Sequence, residues 1–597
     1  MLDALLIGHL ALQAARITAA AFLFLVLYAI GASIVRTAVG DPVERLLLRI
    51  AAGFAVFQCV VRWLGELPLL TARGVWMITI ALALLGLLTR WRMPDADAAE
   101  HPFASNWRVV IIVLLLIAPL TMALAPAVSQ DALIYHLRFP ESTLRDGRWA
   151  IDPANSSSYY PAATGTLYLA ALALDHQGVI AQLVHFGFFI LAILAAAAIA
   201  RRLGAPSGRT AALLLAAIPC AGVVAGWAWA DLSLLFAIGA AVLAAFGGMF
   251  AIALLLLGLA ASIKYTALVA CIPIAIAIVV AALRARQSRQ LFIGIVLAVA
   301  VASPWYLMNV VHTGNPVYPL ATSLFGGASH SAQSMVETWS RADGGSWLSV
   351  WTGYFLAPQT LDEDIGGPLF LIVAILGFLI AFRSQRTPLR IAAWIALAMW
   401  TLFLPLTAAM RLLLPAIAAT LIVAGAALEQ ATRARRALAL LLIVFALRGG
   451  IIAAAHDAHF MNPLPAAVGI EKESEYVARN FPPAPLYARL DRTLPPDARF
   501  VAYNEVRLFR FPRPVSASRV LDPPLLARYI EGAQTPAEIL ARFRRDRVTH
   551  LLIAPKPVER GPVPRFSPRA EQLFTTVIRM SRVIDREGST VAIELPP

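Results

Sequence analysis

The stretch VVIIVLLLIAPLTMALAPAVSQDALIYHLR runs from Val109 to Arg138. Its first part, Val109 to Ala127, carries no charge and has the length of a membrane-crossing helix. Directly after it come Ser129, Gln130, Asp131, Tyr135, His136 and Arg138. An apolar run that ends in a dense polar cluster reads as a span leaving the bilayer into a loop that carries chemistry. Polar groups at that depth are costly, so they are functional candidates by default.

Runs like this one recur along the chain. Of its 597 residues, 59% are hydrophobic and 14% charged, and the mean hydropathy is +0.73. An average soluble domain is about 25% charged. A soluble enzyme, a disordered chain and a fibrous protein are therefore excluded. The runs are long and do not alternate, which predicts helices rather than a barrel. We read about fourteen spans, near 14–36, 46–64, 73–91, 109–127, 178–200, 208–227, 229–247, 248–263, 265–283, 291–310, 367–383, 390–407, 412–429 and 436–455. No polar loop divides the pair within 229–263.

The formal charge is +14. In a soluble chain this would point to nucleic acid. Here Arg gathers in nearly every second short loop, the turn near Phe246 excepted: Arg36, Arg45 and Arg49; Arg90, Arg92 and Arg108; Arg201, Arg202 and Arg209; Arg284, Arg286 and Arg289; Arg383, Arg386 and Arg390; Arg433, Arg435 and Arg436. One assignment makes all six cytoplasmic, as the positive-inside rule requires. Both termini are then extracytoplasmic, and no nucleic-acid partner is expected. Three segments lie outside: a loop at 128–177, a loop at 311–366 and a tail at 456–597. Strand-like runs (Arg499 to Tyr503, Val548 to Ala554) and a helical stretch (Pro536 to Asp546) make the tail a small α/β domain. Cys59, Cys220 and Cys271 sit in apolar stretches and form neither a disulfide framework nor a metal motif. The N-terminus has no basic n-region or clean cleavage site, so the first run reads as a retained span.

If the segment after the 109–127 span is helical, Asp131, Tyr135 and Arg138 share a face. The alternative is an exposed loop capped by an Asp. Asn155 to Pro161, with Tyr160, is either a cleft wall or a turn. Flanking stretches at Glu141 to Trp149 and Ala162 to Asp175 suit the membrane surface. Lys264 is the only Lys in the apolar part of the chain, since the others are Lys472 and Lys556. It is either a snorkelling cation or one awaiting an anionic headgroup. Asp231 stands at an outer helix end, where N-capping is the simpler role. The segment Ser303 to Pro319, with Asn315 and Tyr318, is a Pro-rich turn or another cleft wall. Arg411 suits phosphate through its planar fork, or snorkels. Arg448, deeper in the last span, is a buried pair or a snorkelling cation. By topology Asp131, Lys264 and Arg411 converge on the outer side. No nucleotide-phosphate loop, HExxH or GxSxG is present.

These pieces, in order, resemble the GT-C superfamily of polytopic glycosyltransferases. They resemble in particular bacterial relatives of the dolichyl-phosphate-mannose–protein mannosyltransferases and the lipid A aminoarabinose transferases. The resemblance rests on QDALIYHLRFPESTLRDGRW (130–149) with YYP (159–161), WADLSLLF (229–236), GLAASIKYTAL (258–268), PWYLMNVVHTGNPVYP (304–319) and MRLLLPAIA (410–418). It implies a polyprenyl-phosphate sugar donor, an inverting transfer and Asp131 as catalytic base. It further implies Lys264, Tyr265 and Arg411 at the donor phosphate and lipid, and a bacterial inner-membrane location. The acceptor would be a glycan, a lipid or a protein. Tyr135, His136, Arg138, Tyr160, Asp231, Asn315 and Tyr318 are the cleft candidates. Some relatives hold a divalent metal near this loop; His136 with Asp131 is the only candidate pair, and no metal site is assigned. Two departures stand out. Three spans precede the one leading into the loop, and Asp131-Ala132 replaces the adjacent Asp-Glu of many mannosyltransferases, leaving Glu141 or Asp152 to supply a second carboxylate. The division expected is thus 1–108 as extra helices, 109–455 as the GT-C-like module and 456–597 as the periplasmic domain. The competing readings are a transporter or lipid flippase, and a non-catalytic assembly factor working through its tail. Against a carrier, no twofold hydropathy repeat is visible.

Overall fold

In the computed structural model, the described residues are 2–35, 41–90, 106–326, 364–403, 409–431, 435–520, 522–557, 559 and 566–597. Arg36, Arg92, Arg433 and most of the loop expected at 311–366 lie outside the described residues, as do the side chains of Arg90 and Arg435.

Every run read as a span is helical over most of its described length. Eight of the described helices are long and apolar enough to cross a membrane: Ile7–Ala32, Pro42–Leu64, Ala72–Thr89, Val179–Arg202, Thr266–Arg284, Ser288–Thr313, Met410–Gln430 and Arg436–Met461. The chain is a multi-pass membrane protein. The remaining runs are shorter or broken. The one at 208–227 is two helices, Arg209–Ala216 and Pro219–Ala225. Pro219 pushes Ile218 into extended backbone and ends the first of them. The undivided pair becomes Asp231–Phe246 and Phe250–Ile263, of 16 and 14 residues. At about 1.5 Å per residue, neither reaches the ~30 Å of a bilayer core. The turn between them needs no polar loop, because Gly248 adopts φ 69°.

The first three helices share one apolar core with the rest. Helices Leu2–Ala32 and Pro42–Leu64 meet at Gly31 and Gly53, where a Cβ on Gly31 would lie 1.7 Å from the Arg49 carbonyl oxygen. Gln58 joins the second helix to Ser288–Thr313: its amide donates to the Val301 carbonyl (3.1 Å) and accepts from the Trp305 indole (2.9 Å).

Helix Val179–Arg202 separates the two ends of the bundle by its 24 residues, about 36 Å. At its start Asp175 accepts the Val179 amide (2.6 Å) and pairs with Arg16 (2.9 Å). Arg16 also pairs with Glu473 of the tail. At its far end Arg201 and Arg202 pair with Asp41 (2.5 Å) and Glu44 (2.6 Å).

The tail folds as helices around a five-stranded sheet. Its strands are β1 (Phe500–Tyr503), β2 (Val515–Ser516), β3 (His550–Ile553), β4 (Arg582–Glu587) and β5 (Thr590–Glu594), in the order β2-β1-β3-β5-β4. The first three are parallel; β5 runs antiparallel to β3 and β4. Helices Pro536–Arg545 and Pro568–Met580 bury Leu540, Phe543 and Phe574 against it.

The loop at 128–177 and the tail interlock. Phe500, Phe509 and Phe511 of the tail join the core of the membrane helices. Arg510 donates its backbone N–H to Glu141 (2.8 Å) and its guanidinium to the carbonyls of Ala127 and Gln177 (2.9 Å each). Asp152 pairs with Arg138 (2.8 Å) and accepts the Ala517 amide (3.2 Å). Of the two flanking stretches, helix Ala163–Leu172 is buried on all sides and so does not lie on a membrane surface as expected; Arg138–Asp146 packs against it.

Burial pushes the Glu141 carboxyl up to about 7, against the opposing pull of Arg510. A carboxyl raised on folding favours the folded state below its ordinary value and loses that contribution as pH climbs through the raised one. The thermal midpoint should therefore fall by a few degrees between pH 5 and pH 8. Glu141→Gln should flatten that slope, as differential scanning fluorimetry in detergent will read.

Candidate active site

Asp131 sits where the chain leaves the Ile117–Ala123 helix and enters a single π-helical turn, Ala132–His136. The turn brings the Tyr135 hydroxyl to Asp131 Oδ2, to which it donates at 2.8 Å. Arg138 does not share that face. The π-turn adds a residue to the repeat, so the helical spacing fails beyond Tyr135, and Arg138 points to Asp152 and the Val515 carbonyl (3.0 Å) instead. The carboxylates of Glu141 and Asp152 likewise hold the tail and do not join Asp131.

Asp131 Oδ2 also accepts from Arg411 Nη1 at 2.9 Å. Arg411 lies on a 3-10 turn, Met410–Leu413, that runs into the helix opened by Pro415. Its guanidinium stands 4.5 Å above the Trp229 ring, and the Trp229 carbonyl is fixed by the Tyr168 hydroxyl. Two residues on, Asp231 opens its helix, buried to 3% exposure. Lys264 Nζ donates to Asp231 Oδ1 at 2.6 Å. Lys264 ends the Phe250–Ile263 helix in extended backbone, which frees its side chain to reach across. The site thus holds two ion pairs, Asp131–Arg411 and Asp231–Lys264. The second carboxylate comes from Asp231, and the expected role of Asp231 as a simple cap is replaced by pairing with Lys264.

Burial alone would raise the Asp131 carboxyl. The charges of Arg411 and then Arg519 outweigh it and hold the group well below the usual carboxylate range. Burial drives His136 down to about 3, so its imidazole is neutral at physiological pH. Tyr135 is raised by burial and by the Asp131 charge, so it stays a hydrogen-bond donor.

Arg519 is the residue that sequence reading missed. It belongs to the Arg-rich tail, where nothing local marks it. It donates to Ser157 Oγ (2.7 Å) and Glu559 (2.5 and 2.8 Å), and its guanidinium lies 5.6 Å from the Tyr135 ring centre. Arg519→Ala should let the Asp131 carboxyl rise. An activity that needs ionised Asp131 then loses its acid limb at higher pH. In a kcat–pH profile the acid limb should move to higher pH while the rate near neutral pH holds, because Arg411 still keeps Asp131 ionised there.

The aromatic candidates form one wall. Tyr160 lies edge-on to Tyr135 (6.1 Å) and Tyr265 (5.9 Å). The Tyr265 hydroxyl donates to the Tyr318 carbonyl and accepts from Asn309, both at 2.8 Å. Tyr265, placed by the resemblance at the lipid, thus spends its hydroxyl on the protein. Asn315 folds its own turn, donating to the Leu320 carbonyl (2.8 Å) and accepting the Val317 amide (2.9 Å). Arg448 is half-buried and pairs with the buried Asp364 (2.7 Å). Among the described residues no group of three His, Cys, Asp or Glu is placed to hold a metal ion.

The class these features define is a multi-pass helical membrane protein with a charged centre enclosed by the 128–177 loop and the tail. A model described as a domain of unknown function (DUF8201) matches residues 235–342. No curated protein sequence matches the chain. Among solved structures, the chain is similar to ArnT from Cupriavidus metallidurans bound to undecaprenyl phosphate. The TM-score is 0.52 at 16% identity, over 82% of this chain and 98% of that one. The apo ArnT structure from the same organism aligns equally, over 97% of its length. The chain therefore shares the overall fold of these ArnT structures.

Proposed function

We propose that this protein is an inverting glycosyltransferase that moves a sugar from a polyprenyl-phosphate donor to an acceptor hydroxyl outside the cytoplasm. The observation that carries this reading is the pair of ion pairs, Asp131–Arg411 and Asp231–Lys264, at one end of an ArnT-like bundle. That relative was crystallised with undecaprenyl phosphate.

Asp131 is the base. Its carboxylate takes the proton of the acceptor O–H while that oxygen bonds to the anomeric carbon. The bond from that carbon to the phosphate oxygen breaks on the opposite face and inverts the centre. The polyprenyl phosphate leaves with the electron pair, and Arg411 and Lys264 stabilise its charge. The resting Asp131–Arg411 pair makes Asp131 a poor base. A donor phosphate that draws Arg411 towards itself lifts this restraint, so the base gains strength only when the leaving group is in place.

The location is the bacterial inner membrane, with both termini outside. The Arg-bearing end at Arg201 and Arg202 lies a full helix from the loop and tail, which agrees with a cytoplasmic placement of that end. Mass spectrometry of envelope glycans from a deletion strain tests the activity. One glycan should lose a single sugar, and complementation should restore it. An unchanged glycan profile together with altered lipid translocation would favour a carrier instead.

A further inference from the structure

In open sheets with parallel strands, ligands bind beyond the carboxyl ends of the strands, at the point where the strand order reverses. The tail forms such a point. From β1 the chain passes to β2 on one side, then returns past β1 to β3 on the other, and all three run parallel. A crevice of about 30 Å³ lies at their carboxyl ends. Each strand supplies part of it. Tyr503 and Asn504 end β1, Ser518 and Arg519 follow β2, and Pro557 and Glu559 follow β3. Asn504 turns the chain out of β1 at φ 64°, in the left-handed region that Asn tolerates better than most residues.

The lining is polar and balanced in charge. Arg519 and Glu559 form an ion pair whose side chains are 15% and 8% exposed. Glu559 also accepts the Val520 amide (3.0 Å). An anion would meet Glu559 there and a cation would meet Arg519. Tyr503 and Ser518 add hydroxyls, and Asn504 adds an amide oriented by the Ala554 carbonyl (3.1 Å). Donors and acceptors side by side, with no net charge, suit hydroxyl groups, which are both at once. The room suffices for a hydroxyl-bearing arm and not for a whole sugar ring, so the remainder of such a ligand lies across the mouth.

Arg519 links this crevice to the reacting centre. Its guanidinium donates to Ser157 Oγ of the 128–177 loop (2.7 Å) and stands 5.6 Å from the Tyr135 ring centre. The Tyr135 hydroxyl in turn holds Asp131 (2.8 Å). Arg411 and Lys264 come from the membrane helices, whereas the crevice belongs to the tail. Resting on the transferase reading above, we infer that this crevice seats the acceptor, and that the acceptor is a neutral, hydroxyl-rich glycan reaching Asp131 from the aqueous side. One arm of the glycan is held by the tail while another hydroxyl is offered to the base.

Purified full-length protein is given the lipid extract of a deletion strain as donor source. Three envelope fractions of that strain serve as acceptors: delipidated polysaccharide, lipid, and protein. Mass spectrometry reads the gain of one sugar, which should fall on the polysaccharide. Asn504→Gly keeps the left-handed turn, and Tyr503→Phe keeps the ring contacts with Phe566 and Phe574, so both variants should fold. Each should raise the half-saturating polysaccharide concentration about tenfold, with kcat and undecaprenyl phosphate binding near wild type. A residue that only supported the fold would lower kcat or thermal stability without this split. Transfer to the lipid or protein fraction alone, or half-saturation unchanged in both variants, would overturn the inference and leave the transferase reading intact. No transfer to any fraction by the wild-type chain would overturn both.

Discussion

Asp131→Asn should abolish sugar transfer while the protein still folds, inserts and binds its donor. Asn keeps the shape of the side chain and still accepts from the Tyr135 hydroxyl that now reaches Oδ2 at 2.8 Å. It cannot take a proton. General-base help is worth about 10²–10⁴ in rate, so kcat should fall by at least the lower figure. The donor side should move the other way. Arg411 loses its 2.9 Å partner, so its guanidinium is freer to meet a phosphate. Donor binding should hold or tighten as kcat collapses. A residue that merely held the loop would lose both together. The measurement is single-turnover transfer beside equilibrium binding of undecaprenyl phosphate, with detergent-phase thermal stability as the folding control. An active Asp131→Asn enzyme would sink the assignment of the base.

The fold was largely legible because it depends on apolar length. The runs at 265–283 and 436–455 each became one helix, and the run at 109–127 became two, Trp107–Leu115 and Ile117–Ala123. What eluded sequence reading were breaks set by backbone detail. Pro219 splits one run, and Gly248 turns another without any polar residue. In the site, Asp131, Tyr135, Lys264 and Arg411 were legible because charge at the edge of an apolar run stands out. Their pairing was not. Lys264 read as a cation awaiting an anion, and only the packing of Asp231–Phe246 against Phe250–Ile263 brings Asp231 to it. Arg138 was misplaced because the reading assumed a regular helix where the chain makes a π-turn. Arg519 was invisible for another reason. Its relation to Tyr135 exists only once the tail has docked on the first loop, through Arg510 with Glu141 and Asp152 with the Ala517 amide.

The Asp231–Lys264 pair gives the other large effect, and it separates folding from chemistry. Asp231 has a side chain 4% exposed, against 21% for Lys264. Lys264→Met strands the carboxylate without its cation. Breaking a buried pair from one side costs about 3–5 kcal/mol, which should lower the thermal midpoint sharply. Asp231→Asn is the milder change, because Lys264 is near enough to water to stay solvated. The double variant Asp231→Asn/Lys264→Met leaves no uncompensated charge and should recover most of the lost stability. If Lys264 only balanced Asp231, the recovered fold would also recover donor binding. If Lys264 also meets the departing phosphate, the double variant should be stable yet bind undecaprenyl phosphate weakly, while Asp231→Asn binds it normally. Thermal unfolding and lipid-phosphate titration on the three variants decide between these outcomes. A stable double variant with wild-type donor binding would remove Lys264 from the phosphate site and leave Arg411 to hold the phosphate alone.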